Sequence, residues 1–506
     1  MRTELRRFAN IFSLLLIAIL LIVFESDFLY RLQEQNLFLH TPLFFQQHMV
    51  KAGGLLTWAG CYLTQFFYYP ILGTAILCLL WAVLTWLLIH AFRIQPTWRT
   101  MTLIPVACLL LSITDLGYWV YYLKLPGHAF VATIGSIAAV GLAWLYRGVP
   151  GRYGFTALFI LFTTSISYPL FGFYGLWATV LMAVLAWHKP CHRILDIAIA
   201  LLSVIIIPLL YYHFVYHETN IVNIYWTALP VFAMHQVAYP AYNLPYIVLV
   251  VSVVLMVWGL PKKGWRGVQI AIWVVVLGCV ATFWYKDDNF HRELSMQRSI
   301  EQQDWERVLQ TAKAAKGEPT RAMCMMQNLA LYRLGRMGDE MFHYPNGAKH
   351  PDTPLPVRTV HTQGKMLYLY YGVPNYCHRW CVEDGVEYGW SVEKLRLMAQ
   401  CALLNKEPMA AMRFVNLLSK TDFHKAWAQR YREFIQNPAL VYRDKELGPV
   451  LPLMHQDNFL TGDQSQLEMF LVEQILSSPI ENGVQAELAR LTQYYYRNNR
   501  FKIVEQ

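Results

Sequence analysis

Charged residues are scarce in this chain, 15% of 506, and the familiar signatures of nucleotide and hydrolase chemistry are missing. There is no GxGxxG, Walker A loop, GxSxG, HExxH or pair of CxxC motifs. Phosphate cradles, serine nucleophiles and zinc ribbons need those spacings, so such chemistries have no foothold. Long apolar runs also stop after Tyr285. The nine cysteines carry little redox information. Cys78, Cys108 and Cys279 lie in apolar runs, where a thiol is a small filler. Cys377 and Cys381 are four apart on a helix-forming stretch, a spacing that rarely meets disulfide geometry. Packed free thiols are the ordinary expectation there, and an oxidised pair is the alternative.

What is present is apolar. At 56% hydrophobic the chain is too greasy for one soluble domain. Runs long enough to cross a bilayer, about 17–25 residues, recur over the first half. Nine spans are expected, at 8–24, 68–92, 101–122, 128–146, 153–167, 170–187, 194–216, 244–260 and 268–285. The fifth and sixth are separated only by Tyr168-Pro169. The expected fold is all-α: a polytopic transmembrane helix bundle over 1–285, then a soluble α-helical domain over 286–506.

Charge fixes the expected orientation. Residues 1–285 hold fifteen Lys or Arg. Twelve of them fall in alternate connections beginning with the N-terminus: Arg2, Arg6, Arg7, Arg93, Arg99, Arg147, Arg152, Lys189, Arg193, Lys262, Lys263 and Arg266. Only Arg31, Lys51 and Lys124 fall in the others. The positive-inside rule then places the N-terminus in the cytoplasm. An odd number of spans leaves the C-terminal domain outside. The net charge of +9 is therefore orientation signal, not a footprint for nucleic acid. The first run has the flanks of a signal peptide but no small-residue cleavage site, and it reads as a retained anchor.

The first outer connection, 25–67, is the longest among the early spans. Thr41-Pro42 reads as an N-cap with proline in the first turn, and Gly53-Gly54 as a stop. Short helices along the membrane surface are expected, with Phe38, Phe44 and Phe45 dipping inward. Aromatic runs at 65–70, 117–122, 211–217 and 283–285 read as an interfacial belt. Glu25 and Asp27 stand at the mouth of the first span, where a carboxylate can act as a base or simply cap the interface. Asp115 reads as an acid inside the third span, costly there and so facing a cavity or a partner. Asp196 is one turn from Arg193, and a local pair accounts for it. His213, His217 and Glu218 have a spacing that could hold zinc on one helical face. The flanking tyrosines make an aromatic cluster the alternative.

Beyond Lys286 the period turns to that of amphipathic helices. Paired helices are expected over 304–340, broken at Gly317-Glu-Pro319, and over 391–435, with Ser391 and Asp422 as caps. The stretch 341–390 reads as an excursion between them. Leu329-Ala-Leu-Tyr332 with Gly335, and Ala410 with Phe414, resemble fragments of the tetratricopeptide repeat.

Two wider resemblances follow. The layout, with LTQFFYYPILG at 63–73 and WAQRYREFI at 427–435, resembles an uncharacterised polytopic inner-membrane family of Bacteroidota-type bacteria, which implies an inner-membrane location and a periplasmic C-terminal domain. The inside N-terminus, long first outer loop with an early acid and outside C-terminal domain are similar to GT-C membrane glycosyltransferases. That resemblance implies transfer of a sugar from a polyprenyl-phosphate carrier in the outer leaflet. Asp27 would be the base or metal ligand and Glu25 its neighbour, with Asp115 and Glu218 as second carboxylates and Arg31 or Lys124 as phosphate partners. A divalent metal ion is the one cofactor this reading could call on. The alternative is a non-enzymatic envelope scaffold whose helical repeats dock a periplasmic protein.

Overall fold

The computed structural model describes residues 2–150, 154–188, 193–234, 237–260, 266–344 and 351–454. The described chain is all-α apart from one two-residue pairing, in which Ala233 faces Ala238 and Met234 faces Val237. It forms two compact units. The first comprises the residues through Gly117 and Leu123–Tyr285; the second comprises Tyr118–Tyr122 with the described residues from Lys286 onward.

The first unit begins with α1 (Arg2–Phe24), which bends by 78° into α2 (Ser26–Glu34). α3 (Pro42–His48), α4 (Gly54–Thr64), α5 (Pro70–Ala91) and α6 (Leu103–Thr114) follow. The single turn α7 (Trp119–Tyr122) groups with the second unit. The first unit resumes with α8 (His128–Gly148), α9 (Phe155–Phe171), α10 (Phe173–Trp187), α11 (Arg193–Phe214), α12 (Leu244–Trp258) and α13 (Arg266–Phe283). Among the described residues, five helical stretches are long and apolar enough to cross a membrane. Counting each of two bent pairs as one span gives seven, and α9 and α10 are shorter apolar helices. Several of these stretches suit insertion in a bilayer by their length and composition, and they differ in burial. In the most apolar window of Pro96–Thr114, 72% of the residues are buried; for Arg193–Phe214 the share is 28%, so most of α11 offers aliphatic side chains outward.

Close approach of small residues holds this bundle together, as expected where lipid removes the hydrophobic drive between helices. Gly60 of α4 lies against Gly127 and Val131, and Gly135 of α8 lies under the ring of Tyr174. Hydroxyl bonds add specificity: Trp81 Nε1 donates to Thr133 at 3.1 Å, and Thr164 and Thr179 bond at 2.7 Å.

Pairwise contacts join the connections and helix ends of the first unit. Gly53 N donates to Pro169 O, Phe173 N donates to Thr227 O, and Tyr285 N donates to Thr114 O. Asn10 reaches Thr102, Gln269 reaches Pro96 O, and His188 packs on Trp258.

Several expectations change. Thr41 does cap α3, accepting from Phe44 N at 3.2 Å. Gly53 starts α4 from the left-handed region instead of stopping a helix. Phe38 and Phe44 are buried, whereas Phe45 is exposed. The fifth and sixth expected spans part at Gly172, whose φ of +57 ends α9, and not at Tyr168-Pro169; a side chain there would strike the Thr227 carbonyl. α6, in the third expected span, stops at Thr114, whose carbonyl is taken by Tyr285 N. Gly117 then turns at φ +51 against the Tyr285 ring. Tyr118–Tyr122 are consequently core residues of the second unit and not part of an aromatic belt. Asp196 is held by Tyr146 and Thr156 hydroxyls at 2.9 and 2.8 Å, while the Arg193 guanidinium lies over Trp187.

In the second unit α14 (Asp288–Glu301), α15 (Trp305–Lys313) and α16 (Arg321–Arg333) pack on one another. After the turn α17 (Met337–Glu340) come α18 (Gly364–Tyr370), α19 (Pro374–Tyr388), α20 (Val392–Leu404), α21 (Pro408–Leu418) and α22 (Lys425–Gln436), each packed against the next. Asp287, Asp304, Thr320 and Ser391 cap α14, α15, α16 and α20 through backbone N–H groups. Asp422 does not occupy a cap position, since α22 starts at Lys425 behind His424. The expected excursion at 341–390 instead supplies α18 and α19, whose Leu367, Leu369, Cys377 and Cys381 are fully buried. Both cysteines are free thiols.

Candidate functional site

α2 leaves α1 at the 78° bend at Glu25, and its apolar Phe28, Leu29 and Leu32 are buried. The Glu25 carboxylate is buried and accepts the Trp284 indole N–H at 2.6 Å. Asp27 is half-buried in the first turn of α2, where a negative charge is favoured by the helix dipole. Arg31 and Glu34, three residues apart on the same helix, are both buried.

Asp115 is half-buried at the cap position after α6, not inside a helix. Its corner lies beside Glu25 through consecutive residues: Trp284 binds Glu25 by its side chain, and Tyr285 binds Thr114 by its backbone. Glu25 and the Asp115 corner are thus drawn to one strip. Lys124 is exposed, unlike the buried Arg31.

His213, His217 and Glu218 are all exposed. They do not share a helical face, because α11 ends at Phe214. The reason is Tyr216, which is buried with Ala52, Tyr168, Leu176 and Ile207 and draws the chain out of the helix. Val215 N and Tyr216 N both donate to Tyr211 O as the helix closes. Among the described residues, no three His, Cys, Asp or Glu gather as metal ligands.

The second unit holds a buried ionisable network that the sequence reading missed. Lys365 Nζ donates to Asp384 at 2.5 Å and to the carbonyls of Val360 and His361. His361 Nδ1 donates to the other Asp384 oxygen at 2.6 Å, and Tyr122, Trp380 and Tyr388 pack around its ring. Burial pushes the Asp384 carboxyl up, but Lys365 and His361 more than reverse this and hold it below its ordinary range. Lys394 is buried nearby, donates to Gly389 O at 2.7 Å, and is lowered to about 8 by burial and by Lys365. Glu446 accepts from Tyr370, Gln400 and Tyr431. The available signal was a lone lysine inside the apolar run GKMLYLYYG at 364–372. Lysine is almost never buried there unless paired.

No curated protein and no solved structure matches this chain. A family model does, over residues 3–487, and the chain therefore belongs to DUF6057, a family of unknown function.

Proposed function

We propose that this chain is a nine-span membrane protein with a cytoplasmic N-terminus and an outer helical domain built of tetratricopeptide-like pairs. Seven candidate spans plus α9 and α10 make nine. Such alternation would put Gly53, Pro169, Phe173 and Thr227, which are joined in pairs, toward one face, and the bonded pair Gln269 and Pro96 toward the other. Arg99, Arg147 and Arg193 lie in connections that this alternation puts in the cytoplasm, as the positive-inside rule requires. A reporter active only in the cytoplasm, fused after Gln506, is expected to be silent; activity would overturn the orientation.

Its activity, in this reading, is transfer of a sugar from a polyprenyl-phosphate carrier at the outer leaflet of the bacterial inner membrane. The observation that carries it is the division of labour at the α1–α2 bend. Glu25 is taken up by Trp284, while Asp27, in the first turn of α2, keeps part of its surface in solvent. Asp27 is then the base beside the substrate, and the Asp115 corner is its neighbour. Asp27→Asn in the intact membrane protein should stop turnover of polyprenyl-linked sugars without loss of folded protein. Unchanged turnover would transfer support to a second reading, a scaffold that docks a periplasmic partner. That reading is favoured by Val386, Trp390 and Met409, apolar side chains exposed on the second unit.

A further inference from the structure

The segment Tyr118–Tyr122 is enclosed by side chains of the unit it belongs to. Tyr118 is 2% exposed and Trp119 1%. Tyr118 donates to Glu293 Oε2 at 2.8 Å and sets its ring against Phe290. Tyr121 donates to Gln297 Oε1 at 3.2 Å, and Tyr122 accepts the Arg358 backbone N–H at 3.1 Å. Glu293 is fully buried on α14. Besides Tyr118 it accepts from Thr320 at 2.5 Å and from Gln363 at 3.2 Å. All three donors are uncharged.

Among the described residues, the charges named around Glu293 offer no counterion. Asp287, before its own helix, has the same sign. Glu393 on α20 also has the same sign and is reached through Gln297, which donates to it at 2.8 Å. Lys365 on α18 is engaged by Asp384 and two carbonyls, and His361 by Asp384. Thr320 from α16 and Gln363 before α18 bring no charge. Burial makes a carboxylate costly in this seat, and the three donors, which favour the charged form, offset only part of that cost.

We propose that Tyr118–Tyr122 is a proton-controlled latch: protonation of Glu293 seats the segment in the second unit, and ionisation of Glu293 favours its release. Release would give the carboxylate water in place of Tyr118. Burial raises Glu293 from the ordinary 4.5 to about 7 in the closed state. The closed state therefore binds the proton more tightly, and seating weakens as pH rises from the ordinary carboxyl range to about 7, then levels off. The proposal does not depend on the transferase reading.

The test is hydrogen exchange of the 118–122 amides in the full chain in detergent micelles, between about pH 5 and about pH 8, corrected for the intrinsic pH dependence of exchange. Opening is expected to increase with pH and to level off above neutrality, with a ceiling of roughly 70-fold over this range. Glu293→Gln should flatten the profile. Tyr118→Phe keeps the ring but removes a donor to the carboxylate, so levelling should move to higher pH. A flat wild-type profile would overturn the latch without any variant. So would wild-type pH dependence retained in Glu293→Gln, or an unmoved levelling point in Tyr118→Phe.

Discussion

The indole N–H of Trp284 donates to the Glu25 carboxylate at 2.6 Å, joining residues 259 positions apart at the two ends of the first unit's sequence. The bond gives Glu25 a structural duty that its position beside Asp27 did not announce. Trp284→Phe should remove one donor from a buried carboxylate and cost about 1–3 kcal/mol, read as thermal unfolding in detergent. Glu25→Gln keeps an acceptor in place and should cost less. Asp27→Asn should cost no more than about 1 kcal/mol, the scale of one charge at a helix N-terminus. If it cost several, loss of sugar turnover in that variant could not be assigned to chemistry.

Hydropathy made the helices of the first unit legible, because a run of apolar residues of bilayer length has few alternatives to a helix. Their ends were less so. The run at 101–122 is continuous in hydropathy, yet it divides at Gly117, because Tyr285 fills the space where a continuing helix would go. That contact is 168 residues away in sequence, by subtraction of the two numbers, and no local pattern reports it. The aromatic run at 117–122 failed for a related reason. An amphipathic ring suits an interface and a core equally well, and only Glu293 and Gln297 as partners decide between them. Periodicity of two histidines likewise could not show that Tyr216 would end their helix. Glu25 and Asp115 were visible as acids near apolar runs, whereas the bond of Glu25 to Trp284 and that of Thr114, beside Asp115, to Tyr285 were not.

Lys365 and Asp384 pair in the interior of the second unit, 1% and 2% exposed. Removing only one of them leaves a charge without its counterpart. Lys365→Met should therefore destabilise the unit by about 3–5 kcal/mol. Asp384→Leu should do similarly, since it strands both Lys365 and His361. The double variant should lose clearly less than the sum of the singles. Strict additivity in a thermal-unfolding cycle would mean that the pair contributes no coupling.

Gly127 begins α8 at φ +69, and a Cβ there would lie 2.3 Å from the backbone N of Cys61. Gly127→Ala meets both a strained backbone and a rigid neighbour, so a loss of about 2–4 kcal/mol is expected. Gly148, near the other end of the same helix, has nothing within 4 Å of such a Cβ and an ordinary φ. Gly148→Ala should stay within about 0.5 kcal/mol. Equal effects at the two positions would show that the α4–α8 approach yields readily.

Lys394 supplies a pH dependence of opposite chemical origin to that of a paired lysine. Burial and the neighbouring Lys365 lower it from 10.5 to about 8. Between those values the unfolded chain binds the proton more readily than the folded one, so stability is lost as pH falls from the ordinary lysine range to about 8. Below about 8 both states are protonated and the loss is constant. Lys394→Met retains the apolar stem, gives up the bond to Gly389 O and removes the buried charge. It should stabilise the second unit at neutral pH by about 1–3 kcal/mol, with the advantage shrinking toward pH 10. The measurement is the difference in thermal unfolding between wild type and variant across that range. A variant less stable at neutral pH would show that the bond to Gly389 outweighs the cost of the buried ammonium.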